Sequence, residues 1–280
     1  MTNKVIDLYD YCKIPRGNAK KGYLTVYLPS FCAENRPKIR PAMLVIPGGG
    51  YWMCSERESE PVALRFLANG FAAFVLDYEV QTGYPSQLIQ AAMAMKYIRD
   101  NAEEMRIAAD KVAAIGFSAG GHLLGTLSLR SDAEEVKAIL GDSNVKPNAA
   151  IFSYSVISME RGITHDGSRD MVTGNQERLV EFLSLEKAVD KAAPPAFIWH
   201  TADDDCVPVE NSICLATAYR NARVPFELHI FPHGRHGLSL ADAEMNDSFD
   251  QEGIRPEIAV WFPLALTFLT NRGFKIESVK

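Results

Sequence analysis

Residues 116–120 read Gly-Phe-Ser-Ala-Gly. A G-x-S-x-G run has chemical meaning when a strand enters it and a helix leaves it, because the serine hydroxyl then sits exposed on a sharp strand-to-helix turn. Both flanks fit. Lys111-Val112-Ala113-Ala114-Ile115 is a short apolar stretch that reads as a buried strand, and Gly121-His122-Leu123-Leu124-Gly125-Thr126-Leu127 reads as a helix start. Glycines suit so tight a turn, where side chains would clash. The helix N-terminus aims partial positive charge at Ser118, where negative charge develops during acyl transfer. Ser118 is therefore the candidate nucleophile.

A serine hydroxyl is a weak nucleophile at neutral pH and needs a base, itself oriented by an acid. In a strand-turn-helix architecture of this kind the partners follow in the order Ser, Asp or Glu, His, on loops at the C-terminal ends of strands. The acid candidates follow the strand Ala196-Phe197-Ile198-Trp199-His200, in the segment Thr201-Ala202-Asp203-Asp204-Asp205-Cys206-Val207-Pro208. Three neighbouring carboxylates would repel one another if all were buried, so one is expected to point inward. Spacing to Val207-Pro208 favours Asp204, with Asp203 and Asp205 as alternates. The base candidates follow the strand Phe226–Phe231, in Pro232-His233-Gly234-Arg235-His236-Gly237-Leu238. His236 is favoured and His233 is the alternate. His229 reads as structural, His122 as a packed support near the elbow and His200 as a group orienting the acid loop; His165, in the lid segment, is favoured as a surface histidine, with substrate contact as the alternate.

A tetrahedral intermediate also needs backbone N–H donors. One is expected at Ala119, and others at Gly49 and Gly50 in the loop Pro47-Gly48-Gly49-Gly50-Tyr51, which follows the apolar run Ala42–Ile46. Tyr51 and Trp52 follow at once, and one of them is expected to line the substrate pocket. The glycine run does not fit nucleotide binding. A phosphate-binding loop would continue with Gly-Lys-Ser/Thr, whereas Tyr51-Trp52 follow Gly50, and a dinucleotide fingerprint would need glycine where Met53 stands.

These loops need a frame, and the chain alternates strand-like and helix-like segments over most of its length. Strands are expected at 42–46, 71–76, 111–117, 149–153, 196–200 and 226–231. Helices are expected at 60–69, 86–101, after Ser118, and at 209–221 and 256–270. Such alternation predicts an α/β fold, a mostly parallel, doubly wound sheet with helices on both faces. Val5–Tyr11 and Tyr23–Leu28 alternate around Pro15 and Gly17 and suit antiparallel edge strands. Residues 159–186 break the rhythm: they are polar and glycine-containing, with a short amphipathic stretch at 177–185, and read as a small lid insertion.

At 280 residues a length prior alone would allow two domains, but the pattern reads as one domain over 1–280. Apolar content of 47% and charged content of 23% are ordinary for a globular protein. With 29 basic against 35 acidic residues the net charge is −6, and no basic cluster offsets it. Nucleic acid and anionic membrane are therefore not expected partners. The N-terminal residues lack the apolar core of a signal peptide and no run approaches a membrane span, so a cytoplasmic protein is expected. Cys12, Cys32, Cys54, Cys206 and Cys214 form no C-x-x-C pair and read as idle thiols in a reducing compartment. No metal spacing is present and no cofactor is expected.

Taken together, Pro-Gly-Gly-Gly-Tyr at 47–51, Gly-Phe-Ser-Ala-Gly-Gly-His at 116–122, His-Thr-Ala-Asp-Asp at 200–204 with Val-Pro-Val-Glu-Asn-Ser at 207–212, and His-Gly-Leu-Ser-Leu at 236–240 resemble the α/β-hydrolase esterases. More narrowly, they resemble the bacterial acetyl-esterase and acetylxylan-esterase-like branch, also labelled sugar hydrolases or xylanase-associated esterases. The resemblance implies the α/β-hydrolase fold, Ser118 as nucleophile, Asp204 as acid, His236 as base, and Gly49, Gly50 and Ala119 as oxyanion donors. It also implies a small-molecule substrate, a short-chain O-acetyl ester of a carbohydrate. A second copy of the chain is retained as a candidate partner. The sequence departs from the hormone-sensitive-lipase relatives in one place: Pro47 stands where they carry histidine, so the support of the glycine loop must differ.

Overall fold

The computed structural model describes residues 2–30, 34, 37–245 and 252–278. The chain opens with β1 (Thr2–Asp7), a short helix α1 (Leu8–Cys12) and β2 (Tyr23–Leu28). The expected first edge strand thus stops at Asp7. Its carboxylate accepts hydrogen bonds from the backbone N–H of Tyr9 (3.0 Å) and Asp10 (3.2 Å), which caps a helix in place of further strand. The next elements are β3 (Lys38–Ile46), α2 (Glu60–Ala68), β4 (Ala72–Asp77), α3 (Ser86–Asp100), β5 (Ile107–Phe117), α4 (Ser118–Leu129) and α5 (Glu134–Leu140). They are followed by β6 (Ala149–Ser153), α6 (Asp166–Thr173), α7 (Glu177–Leu183), β7 (Ala196–Thr201), α8 (Glu210–Ala222) and β8 (Phe226–Phe231). The chain closes with α9 (Pro256–Ala259), α10 (Trp261–Thr270) and β9 (Glu277–Ser278). The single helix expected over 256–270 is therefore two. Pro263 has no N–H to donate to the carbonyl of Ala259, so the helical ladder is interrupted at that junction.

The strands lie in the order β1-β2-β4-β3-β5-β6-β7-β8, with β9 pairing the start of β3. β1 and β2 run antiparallel at the edge; from β4 to β8 every pairing is parallel. Alternate strand residues feed two apolar layers, because successive side chains on a strand point to opposite faces. Leu44, Ala114, Phe152 and Ile198 join one layer with α3, α4 and α8. Val45, Ile115, Ile151 and Trp199 join the other with α2 and α10. This is the doubly wound arrangement of the α/β-hydrolase fold.

The topology decides where a site can form. The chain passes from β3 outward to β4, then returns across β3 to β5. The loops leaving β3 and β5 therefore diverge at a switch point, where parallel sheets leave a crevice at the strands' carboxyl ends. Register aligns those ends: Ile46 pairs with Gly116, Phe117 with Ser153, and Ser153 with Trp199. The glycine loop, Ser118, Tyr154 and the acid loop consequently emerge side by side.

Residues 159–186 hold more helix than expected. α6 is capped by the His165 imidazole, which accepts from the Ser168 N–H, and α7 buries Leu179, Val180 and Leu183. Asn211 of α8 accepts the N–H groups of Ile157 and Ser158 and donates to the carbonyl of Ile163. Arg169 donates to the carbonyl of Met159. The segment is thus hydrogen-bonded to the body and to itself.

Candidate active site

Ser118 opens α4 directly after β5, with φ of 51° and 7% exposure. A non-glycine residue in that region is strained and persists only where its surroundings fix it. Close approach on both sides supplies the constraint. A Cβ on Gly116 would lie 2.4 Å from the carbonyl oxygen of Gly120, and one on Gly120 would lie 2.3 Å from those of Ile46 and Pro47. A larger residue at Gly116 would push the elbow helix off β5, and one at Gly120 would push it away from the end of β3.

The structure brings Ser118, His236 and Asp204 into one hydrogen-bonded chain. His236 Nε2 lies 2.9 Å from Ser118 Oγ, and His236 Nδ1 lies 2.8 Å from Asp204 Oδ2. The Asp204 side chain is fully buried, and its Oδ1 accepts the backbone N–H groups of Cys206 (2.9 Å) and Val207 (2.8 Å). Burial alone would push this carboxyl up. Hydrogen bonds from His200, His236 and the Val207 N–H outweigh burial and hold it well below the usual carboxylate range. His200 lies beneath, its Nε2 3.0 Å from the Val207 carbonyl and 3.3 Å from Asp204 Oδ2. Ser212 Oγ, 2.8 Å from His200 Nδ1, completes that ring's partners.

The alternates form a second pair that does not reach the serine. His233 Nδ1 lies 3.0 Å from Asp203 Oδ2, and Asp203 Oδ1 accepts the Gly234 N–H at 2.7 Å. Both side chains are more than half exposed. Asp205 is exposed as well.

Beside Ser118 the glycine loop turns through left-handed backbone, with φ of 121°, 64° and 63° at Gly49, Gly50 and Tyr51. Among the described residues, the N–H groups of Gly49, Gly50 and Ala119 have no hydrogen-bond partner. At Ala119 this is the ordinary state of a helix's first turn. Tyr78 donates its hydroxyl to the Pro47 carbonyl (2.8 Å), and Glu58 Oε2 accepts the Gly48 N–H (2.8 Å).

Tyr51 and Trp52 separate. Tyr51 is 1% exposed, and its hydroxyl donates to His122 Nδ1 at 2.7 Å, while His122 Nε2 donates to the Leu183 carbonyl at 2.9 Å. Burial pushes the His122 imidazole down to about 4, so it is neutral at pH 7. Tyr51 is therefore an anchor that compensates for its own strained backbone. Trp52 is 55% exposed on the wall of a cleft of about 580 Å³. Gly49, Gly50, Ser118, His236 and His165 share that cleft, so His165 lies at the site and not on a remote surface. Cys54 and Cys206 also line it, and burial raises both thiols, Cys54 up to about 12, so neither is an activated thiolate.

Two site residues escape the sequence reading. Glu58 is 4% exposed; its Oε1 accepts the Tyr154 hydroxyl at 2.6 Å, and Tyr154 in turn accepts the Ser239 N–H at 2.9 Å. The Tyr154 ring meets the His236 imidazole edge-on, 5.0 Å between centroids. Burial pushes the Glu58 carboxyl up, against the lowering effect of the Tyr154 and Gly48 hydrogen bonds. Glu58 lies in Glu56-Arg57-Glu58-Ser59-Glu60, a run indistinguishable in sequence from a solvated face. Tyr154 follows β6 directly, and that position at a strand's carboxyl end is a signal that could have found it.

The sequence model of the BD-FAE family matches residues 24–219. Endo-1,4-beta-xylanase B of Butyrivibrio fibrisolvens is 39% identical over 227 residues, covering 78% of this chain and 36% of the relative. An acetylxylan esterase of Xylanibacter ruminicola is 34% identical over 207 residues, covering 71% and 41%. This chain thus spans well under half the length of these curated relatives. Among solved structures, the acetyl ester-xyloside bifunctional hydrolase of Caldicellulosiruptor lactoaceticus superposes with a TM-score of 0.78 at 34% identity, covering 90% of this chain and 88% of that one. The carboxylesterase Cest-2923 of Lactobacillus plantarum gives 0.82 at 25% identity, covering 98% of each chain. With the family model matching residues 24–219 and with neighbours of this fold, the chain belongs to the BD-FAE family and has the α/β-hydrolase fold.

Proposed function

We propose that this chain is a serine esterase that removes short acyl groups, O-acetyl above all, from carbohydrates through an acyl-enzyme. The observation that carries the reading is the continuous path from Asp204 through His236 to Ser118 Oγ, 2.8 and 2.9 Å, beside backbone N–H groups with no other partner. Ser118 Oγ attacks the ester carbonyl carbon while its proton passes to His236 Nε2. Asp204 holds Nδ1–H, which leaves Nε2 free to accept, and stabilises the imidazolium that results. The N–H groups of Gly49, Gly50 and Ala119 receive the oxyanion. Collapse expels the alcohol, which takes the proton from Nε2. Water then gives a proton to His236 and attacks the acyl carbon, and Ser118 recovers its hydrogen as the acid leaves.

The carbohydrate part of the reading rests on the acetylxylan esterase and the acetyl ester-xyloside hydrolase among the relatives, together with Trp52. An exposed indole on a cleft wall offers a flat apolar face to a sugar ring. We read residues 159–186 as a cap on a single domain spanning 1–280, with His165 as its contact to the cleft.

Hydrolysis of p-nitrophenyl acetate, butyrate and octanoate, and of acetylated xylo-oligosaccharides, by wild type and Ser118→Ala tests the reading. Rates should fall steeply with acyl length and drop in the variant on the order of 10⁶-fold, as when such triads are dismantled. A wild-type rate preserved in Ser118→Ala would sink the mechanism. A preference for octanoate would favour a broad carboxylesterase.

A further inference from the structure

Glu58 is a buried carboxylate that the proposed chemistry does not use, and it touches both halves of the site. On one side Oε2 holds the Gly48 N–H at 2.8 Å, at the root of the glycine loop. On the other, Oε1 accepts the Tyr154 hydroxyl at 2.6 Å, and that same hydroxyl oxygen accepts the Ser239 N–H at 2.9 Å, three residues past His236. Two further bonds close the circuit. Ser239 Oγ donates to the Arg57 carbonyl at 2.7 Å, and Trp261 Nε1 donates to the Ser239 carbonyl at 3.0 Å. Gly48 is wedged in place: a Cβ there would lie 2.7 Å from Glu58 Oε2 and 2.9 Å from Ser118 Cβ.

We propose that Glu58 is a positioning residue that, through Tyr154, locks the oxyanion loop to the histidine loop and sets the distance between the oxyanion donors and His236. This rests on the serine-esterase reading. The physical need is plain. The two loops leave β3 and β8, which have three strands between them, and nothing in the sheet register fixes their tips relative to each other. Donors must be placed where the oxyanion forms, and an error of a few tenths of an ångström weakens each hydrogen bond there. A carboxylate fits the role better than an amide. As an acceptor with two oxygens it takes an N–H on one side and an O–H on the other. It also does for the Pro47 loop what a side chain at position 47 cannot do.

Glu58→Gln tests this with little change of shape. The amide oxygen can keep Gly48, but the NH₂ group then faces a Tyr154 oxygen that already accepts from Ser239, and the tyrosine hydrogen loses its acceptor. Tyr154→Phe cuts the same strap at its other joint and leaves the carboxylate in place. With p-nitrophenyl acetate, kcat should fall about tenfold to a hundredfold in Glu58→Gln while KM stays within about threefold; loss of a whole oxyanion donor costs about 10²–10³. The Ki of a trifluoromethyl ketone, whose serine adduct carries an oxyanion, should rise by the same factor. A role in stability alone would lower the melting temperature and leave kcat and Ki of the folded enzyme unchanged. Folded Glu58→Gln with kcat and Ki within twofold of wild type overturns the proposal. If Glu58→Gln does not fold, the same result in Tyr154→Phe overturns it. A wild type inert toward the ester, or as active as Ser118→Ala, would instead defeat the esterase reading itself.

Discussion

Replacing Asp204 by Asn exchanges one oxygen for an NH₂ group at nearly constant volume. The amide oxygen takes over the N–H groups of Cys206 and Val207, now 2.9 and 2.8 Å from Oδ1, because turning the amide round would set NH₂ against two N–H donors. The new NH₂ therefore faces His236 Nδ1, from which Oδ2 now accepts at 2.8 Å. The imidazole has two choices. It can keep Nδ1–H against another donor, losing a charge-assisted hydrogen bond of about 1.5–3 kcal/mol and burying an unpaired group at about 1–3 kcal/mol. Or it can move its proton to Nε2, where it can no longer accept from Ser118. The sum of about 2.5–6 kcal/mol on the reactive tautomer is a loss of about 10²–10⁴ in kcat at 1.36 kcal/mol per tenfold. Steady-state kinetics on p-nitrophenyl acetate read the loss, and a thermal melt shows that the variant is folded. Asp203→Asn is the internal control, since Asp203 and His233 are exposed side chains that do not reach Ser118, and it should stay within about threefold of wild type. A folded Asp204→Asn with kcat within threefold of wild type would refute the reasoning. So would a larger loss in Asp203→Asn.

Tyr51→Phe should lower the melting temperature by several degrees, because it leaves His122 Nδ1 buried without its donor at a cost of about 1–3 kcal/mol, while Trp52→Ala should raise KM for an acetylated sugar and leave the melting temperature alone. The reverse assignment of the two effects would show that Tyr51, and not Trp52, meets the substrate. Burial holds the His122 imidazole down at about 4 in the folded state against about 6.5 unfolded, so the unfolded chain binds the extra proton between those values. Stability should therefore fall as pH drops through that window, by up to about 1.4 kcal/mol per pH unit from this group, and His122→Gln should flatten the urea-midpoint profile between pH 7 and 5. Equal slopes in the two proteins would contradict this account.

Much of the architecture is legible in the residues because strand and helix patterns are local. The β6 and β8 boundaries, and the elbow at Phe117–Ser118, follow from apolar runs that end where turn chemistry begins. The misplacements are local too. Asp7 turns a strand into a capped helix, and Pro263 divides a helix whose start another proline favours. The order Ser, Asp, His narrows the site to three loops, and sequence favours Asp204 and His236 but leaves Asp203, Asp205 and His233 as alternates. Both Asp–His pairs do form, and only the tertiary structure sends one of them inward to Ser118 while the other stays in solvent. The same holds for the residues flanking the glycine loop: Tyr51 and Trp52 are adjacent in sequence, yet one is buried against His122 and the other stands on the cleft wall. Glu58 lies at the far end of this scale. A charged run predicts solvent for each of its members, and what takes Glu58 out of water is a pair of donors, one from the loop after β3 and the other a tyrosine 96 residues further along the chain. Local sequence determined which segments become strands, turns and helices, because backbone sterics and apolar periodicity act over a few residues. Which side chains meet at the crevice was decided by the order and register of the strands, a property of contacts between distant parts of the chain.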